Sequence, residues 1–292
     1  MAAFFKSLKK SPRFGIGISD PRGVFCVFAM VHPLDSSKLK IIRAQEHLDS
    51  FRTEVGMFLN EHPHRVVTEH QGGPNWNVSA TIRDRPPLRL STIAGDCLVN
   101  VRAALDYLMW QFSLRYFQPQ PSLDNWEDRT ITSFPIFEHA GSKDSGCSQR
   151  FERLRKRTHG SPDSKLAAIA ISLIEAAQPY HAGQLPLWWL HQLANADKHR
   201  LPLLAIAEVS SVQFVTVDAG DGIPCLIDTG GGSTGVAVSD ATIGRPDVKV
   251  DCQPTILVAF DDVSMPRIPA DLLLQQVIEC AANTIKRLEG VF

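Results

Sequence analysis

The chain has 292 residues, of which 44% are hydrophobic and 21% charged, with a formal net charge of −1. This near-neutral balance excludes a protein drawn as a whole to nucleic acid or to an anionic membrane, so any such binding requires a local patch. The six scattered cysteines contain no C-x-x-C pair, which argues against a disulfide framework or zinc motif and favours free thiols in a cytoplasmic protein.

The first residues resemble a secretory signal, because a basic start precedes an apolar run at 24–31. Asp20 and Arg22 interrupt the approach to that run, and no small-x-small cleavage site follows it. We therefore interpret 1–23 as a tail and 24–31 as a buried strand. No stretch reaches the roughly 20 apolar residues that span a bilayer, so we expect no membrane partner.

Helical periodicity is strong in several segments, and the cleanest pattern covers about six turns after Leu90. Ser36 is a candidate N-cap for the first helix, and Pro202 is expected to end a later one. The acidic first turn and basic last turn of the final helix suit the helix dipole. Helices are predicted over 36–62, 90–112, 162–177, 185–201 and 270–288.

Short strands are predicted in two zones, on either side of the central helices. The predicted strands cover 65–70, 77–83, 212–217, 236–238, 248–250 and 255–260. The expected fold class is α+β, with a mainly helical core of antiparallel helices and a small antiparallel β-sheet. The expected organisation is a tail (1–23), a helical core with short strands (24–201), an antiparallel β-rich segment (202–265) and a C-terminal helix packing back on the core (266–292).

Several catalytic motifs are excluded by their context. The G-x-S-x-G match at 231–235 has no helix after its serine and no later histidine, so it is interpreted as a loop between strands. The same glycines lack the lysine of a phosphate-binding loop. His191 and His199 are about 12 Å apart along a helix, which excludes an H-E-x-x-H zinc motif.

The helix at 185–201 carries the strongest polar constellation. Asp197 falls in the middle of its apolar face, where an ionised carboxylate needs a partner. Arg102, one turn before Asp106 on the preceding long helix, is the predicted partner. Further polar and aromatic side chains lie on the flanks of this apolar face and on the opposite side of the helix: Lys198, Arg200, His191, Asn195, His199 and Trp188.

Three interpretations of this constellation remain open. Arg102, Asp106 and Asp197 could form a buried ion-pair network that fixes helix register. Alternatively, His199 or His191 could transfer a proton in a polar pocket. A metal site of His191, Asp197 and His199 is disfavoured by their different helix faces.

The same residues carry a resemblance. The segment 95–108, which includes Arg102-Ala103-Ala104-Leu105-Asp106, and the later Asn195-Ala196-Asp197-Lys198-His199-Arg200 resemble a widespread group of bacterial proteins with no established activity. Phe134-Pro135-Ile136-Phe137 and Gln178-Pro179-Tyr180, between those blocks, also match the group. The resemblance covers about 90–200.

More remotely, the two-helix core with a histidine-bearing helix is similar to the HEPN superfamily of helical RNases and nucleotide-handling modules. Nuclease members carry an arginine and a histidine with four to six residues between them. Here Arg200 follows His199 on the candidate helix, and Arg153 and His159, which match that spacing, lie in a polar linker. The resemblance therefore favours binding of RNA or a nucleotide over cleavage.

Two local features indicate which kind of ligand the protein could bind. Arg150, Arg153, Arg155, Lys156 and Arg157 form a basic segment that could contact phosphates or simply face solvent. Trp188 and Trp189, following Tyr180, could line a pocket for a planar ligand or pack between helices.

The leading hypothesis is a HEPN-like protein that binds, and in its stronger form cleaves, RNA or a nucleotide, with no cofactor indicated. His199 would be the general acid/base, Lys198 or Arg200 would stabilise phosphate charge, and Asp197 and Arg102 would orient them. The expected ligand contacts are His191, Asn195, Asp106, Trp188 and Tyr180. The alternatives are a non-catalytic scaffold or homo-oligomerisation module, and a small-molecule enzyme, with or without a metal, that uses His191 and His199 with an acid from another helix such as Glu46.

Overall fold

The structure is a computed structural model, and it describes the following residues: 32–72, 75–122, 124–141, 146–199, 204–207, 212–215, 237–242, 251–254, 257–262, 264–266 and 268–292. Within these ranges the protein is rich in α-helix and carries antiparallel strand pairs, which confirms the helix-rich α+β class. The predicted tail, the strands at 24–31 and 248–250 and the glycine-rich loop at 231–235 lie outside the described residues.

Seven α-helices occur in the described part of the chain. Their bounds are α1 Asp35–Asn60, α2 Leu88–Tyr116, α3 Trp126–Ile131, α4 Gly146–Thr158, α5 Ser164–Ala176, α6 Leu185–His199 and α7 Ala270–Leu288. The first helix begins at Asp35, so Ser36 is not its N-cap, and a short 3₁₀ turn, Glu289–Val291, follows α7.

The long helix α2 organises the core, as its periodicity predicts. Leu98, Leu105 and Phe112 are fully buried on one side of it. Their burial at helical spacing provides an apolar stripe against which other helices pack. α1 packs most extensively against α2, and α7 contacts both of them as well as α6.

The described strands are β1 His64–Gly72, β2 Asn75–Ile82, β3 Leu204–Ala207, β4 Val212–Val215, β5 Ala237–Thr242, β6 Asp251–Pro254 and β7 Leu257–Phe260. β1 and β2 form an antiparallel pair, and β5 adds to β2 with Ser79 opposite Val238. β3 pairs with β7, and β4 with β6, also antiparallel. The first hairpin thus shares a sheet with a strand from the later β-rich segment.

Two helices were not predicted. α3 is a single short turn, capped where the Asn125 side chain accepts a hydrogen bond from the Glu127 N–H. α4 covers the basic segment, for which a polar linker was predicted, and it buries Cys147, Phe151 and Leu154 on one side. That helical spacing of apolar residues was the signal for α4.

Among the described helices, none combines the length and apolarity needed to cross a bilayer. Cys97, Cys147 and Cys280 are buried free thiols.

Candidate functional site

Helices α2 and α6 pack together, and Asp197 meets α2 at a glycine. A Cβ at Gly95 would lie 2.5 Å from Asp197 Oδ1. The missing side chain at Gly95 therefore makes room for the carboxylate. Burial, and then the nearby charge of Asp96, raise the pKa of Asp197 above its usual range.

The predicted pairing of Arg102 with Asp197 does not form. Arg102 instead binds Asp106 on its own helix, with Nε to Oδ2 at 3.2 Å and Nη2 to Oδ1 at 3.0 Å. Arg102 Nη2 also donates to the Phe134 carbonyl at 2.8 Å, and Asp106 Oδ1 accepts from the Phe134 N–H at 2.9 Å. One ion pair thus holds both backbone polar groups of Phe134, its N–H and its carbonyl, and the predicted network with Asp197 is not formed.

A second side chain holds the same segment. Gln178 is fully buried. Its Oε1 accepts from the Phe137 N–H at 3.0 Å, and its Nε2 donates to the carbonyls of Pro135 and Ile174, both at 3.0 Å. Backbone groups of a buried loop need such partners. We call Arg102, Asp106 and Gln178, together with the 134–137 segment, the loop clasp.

The exposed edge of α6 carries an aromatic pair. The Trp188 and His191 rings stack with centroids 5.5 Å apart and an interplanar angle of 20°. Asn195, one turn on, places its Nδ2 3.1 Å from His191 Nε2. All three side chains are partly exposed. We call Trp188, His191 and Asn195 the α6 platform.

The platform is flanked by positive charge. Burial, followed by the charges of Arg102 and Lys198, lowers the pKa of His191. The imidazole is therefore neutral at pH 7, and its hydrogen bond with Asn195 fixes the ring. Lys198 is exposed near the end of α6. The side chain of His199 and the whole of Arg200 lie outside the described residues.

Two of the five basic side chains of the segment, Arg150 and Arg157, make internal contacts. Arg150 donates to the carbonyls of Thr130, Ile131 and Ser133, and its burial lowers its pKa to about 10. Arg157 pairs with Asp128 at 2.6 Å. Arg150 and Arg157 thus tie α4 to α3 and its neighbouring loop, which weakens the case for a phosphate-binding face.

Two other basic residues of α4 form surface ion pairs. Arg155 lies 3.4 Å from Glu175, and Lys156 lies 3.7 Å from Glu152. Such exposed pairs can exchange for a ligand at little cost.

Tyr180 has a different place from the one expected. Its hydroxyl lies 3.7 Å from Cys147 Sγ, and its side chain lines a cleft beside α4. Trp189 packs against the hydrophobic core, while Trp188 belongs to the platform.

Within the described ranges, no three His, Cys, Asp or Glu side chains come together as metal ligands. No family model matches the sequence, and no match to a curated protein or a solved structure is found.

Proposed function

We propose that this protein binds a nucleotide or single-stranded RNA at the α6 platform. The observation that carries the proposal is the stacked, partly exposed pair of Trp188 and neutral His191. Bases of single-stranded nucleic acids stack on such aromatic faces, and each stack contributes about 1–3 kcal/mol by alanine substitution. The platform thus offers a flat surface for a base.

Charge near the platform suits the phosphate of the same ligand. Arg102 and Lys198 are the cations whose fields lower the pKa of His191. A phosphate close to these side chains would gain a favourable Coulomb interaction. Two carboxylates oppose this attraction in part: Asp106, which pairs with Arg102, and Asp197, which lies against Gly95 in the contact between α2 and α6.

The primary hypothesis is that the protein binds a nucleotide or RNA, and the stronger hypothesis is that it also cleaves RNA. Arg102 is held in the loop clasp, which restricts its movement toward a reacting phosphate. In the catalytic form, His199 acts as general acid/base and Lys198 or Arg200 stabilises charge, in a HEPN-like cytoplasmic protein. His199→Ala would then abolish cleavage of a labelled RNA while leaving binding at the platform.

The first experiment is native mass spectrometry of protein purified without chelators, together with fluorescence anisotropy using labelled single-stranded RNA. We expect either a co-purified nucleotide or RNA mass, or saturable RNA binding that weakens as salt rises. Stoichiometric metal with no nucleic-acid binding would favour the metal-dependent small-molecule enzyme. An apo oligomer that binds no nucleotide or RNA would contradict the proposal.

The loop clasp favours a second candidate, a non-catalytic scaffold or homo-oligomerisation module. Arg102, Asp106 and Gln178 lie in the segments that resemble the bacterial group, and all three hold backbone atoms of the 134–137 segment. A scaffold would use these residues for the fold alone. It predicts that platform substitutions change no ligand affinity.

A further inference from the structure

A cleft of about 790 Å³ lies between α4 and the α5–α6 connection, apart from the α6 platform. Its volume falls in the range of about 300–1,000 Å³ that is typical of small-molecule sites. The lining includes Cys147, Phe151, Glu152, Arg155, Glu175 and Tyr180.

The floor of the cleft is aromatic and uncharged. Phe151 is buried, and its ring lies 6.5 Å from that of Phe137 in the loop clasp. The Tyr180 hydroxyl lies 3.7 Å from the Cys147 thiol, and burial raises the pKa of Tyr180, so the phenol stays protonated at neutral pH. The His181 ring lies 4.7 Å from that of Tyr180. Such aromatic faces attract cations.

The charged lining has an excess of carboxylate. Of the side chains that line the cleft, Glu152 and Glu175 are carboxylates and Arg155 is a cation; Lys156, which pairs with Glu152, does not line it. The pair of Arg155 with Glu175 is 53% and 42% exposed, and that of Lys156 with Glu152 is 73% and 56% exposed. Ion pairs this exposed contribute little to the stability of the protein, so a charged ligand can replace one partner of the pair at little cost.

We propose that this cleft binds a small organic cation, with an amine between Glu152 and Glu175 and an apolar body over Phe151 and Tyr180. Among the side chains that line the cleft, a ligand anion would meet two carboxylates and one cation. This site is independent of the nucleotide or RNA site, and it does not require that proposal to hold.

The test uses three probes of similar shape on the full chain: phenethylamine, 3-phenylpropionate and 2-phenylethanol. Isothermal titration calorimetry at millimolar concentration should show the amine binding most tightly. Glu152→Gln and Glu175→Gln should each weaken amine binding about fivefold. Arg155→Gln should tighten it, because the competing cation is removed.

Two controls make the result specific. Glu54→Gln removes a carboxylate that pairs with Arg89 on another part of the surface, and it should leave amine binding unchanged. Trp188→Ala should also leave it unchanged, which separates this site from the α6 platform. The proposal is overturned if no probe binds, if the anion or alcohol binds as tightly as the amine, or if Arg155→Gln weakens the amine. Melting temperatures confirm that each variant is folded.

Discussion

Asp197 occupies the space that a side chain at Gly95 would fill, with Oδ1 2.5 Å and Cγ 3.1 Å from the position of a Cβ there. This contact fixes how closely α6 approaches α2. Gly95 lies in the middle of a helix, where glycine costs about 0.5–1 kcal/mol relative to alanine. The close approach of Asp197 explains why the helix carries glycine at this position.

Gly95→Ala should therefore leave the protein about 1 kcal/mol less stable than Gly56→Ala does, because the added Cβ displaces the end of the Asp197 side chain and this offsets the gain in helix propensity. Gly56→Ala on α1 is the matched control, because no atom lies within 4 Å of its added Cβ. That control should be neutral or slightly stabilising. Urea unfolding of both variants measures the difference.

A double variant tests whether Asp197 is the cause. Gly95→Ala combined with Asp197→Ala removes the colliding carboxylate, so it should recover much of the stability lost in Gly95→Ala. Equal destabilisation in the presence and absence of Asp197 would show that the contact is not the reason for the glycine.

The stability of the Asp197→Asn variant relative to the wild type should increase as pH rises. Because the pKa of Asp197 is raised on folding, the folded state holds its proton more tightly, and stability falls as pH rises from the ordinary value of 3.8 through the folded value. Asparagine keeps the shape without titrating. Melting curves of the two proteins should converge at low pH and separate toward neutrality; a variant less stable at pH 7 would point to a salt bridge for Asp197.

His191→Gln should remove part of the acid sensitivity of the fold. The pKa of His191 is lowered on folding, so its contribution to stability is complete above the ordinary value of 6.5 and is lost as pH falls through the folded value. Thermal melts between pH 7 and 5 measure this slope. His139→Gln, at an 83% exposed side chain, is the control and should keep the wild-type slope.

Asp106→Ala should open the loop clasp. It leaves the Phe134 N–H without its acceptor and the Arg102 guanidinium without its carboxylate partner, at a cost of about 1–3 kcal/mol. Hydrogen exchange of the 134–137 amides should accelerate. Glu46→Ala breaks an exposed pair with Arg43 and should cost no more than about 1 kcal/mol, without changing exchange in the loop.

The helices that organise the core were predictable because their buried apolar residues recur at the period of an α-helix. The apolar spacing after Leu90 predicted α2, and the same geometry correctly grouped His191 with Asn195 and Trp188 on α6. The interpretation of 231–235 as a loop stays a prediction, because that segment lies outside the described residues.

The partners of the polar side chains were not predictable in the same way. Arg102 and Gln178 bind backbone atoms of 134–137, and a carbonyl or N–H carries no residue-type signal. The role of Gly95 depends on the approach of a second helix, which no local pattern encodes. The cleft beside α4 could not be predicted because α4 was not predicted. The arginine-rich composition of that segment is typical of a polar linker.

The most direct test of the proposed function compares Trp188→Ala with Trp126→Ala in an RNA-binding titration by fluorescence anisotropy. Trp126 is 74% exposed on α3, so its removal controls for the loss of an exposed indole. We predict that Trp188→Ala weakens binding by about tenfold or more, while Trp126→Ala binds as the wild type does. Equal affinities for the two variants, or no RNA or nucleotide binding by the wild-type protein, would contradict a ligand site at the α6 platform.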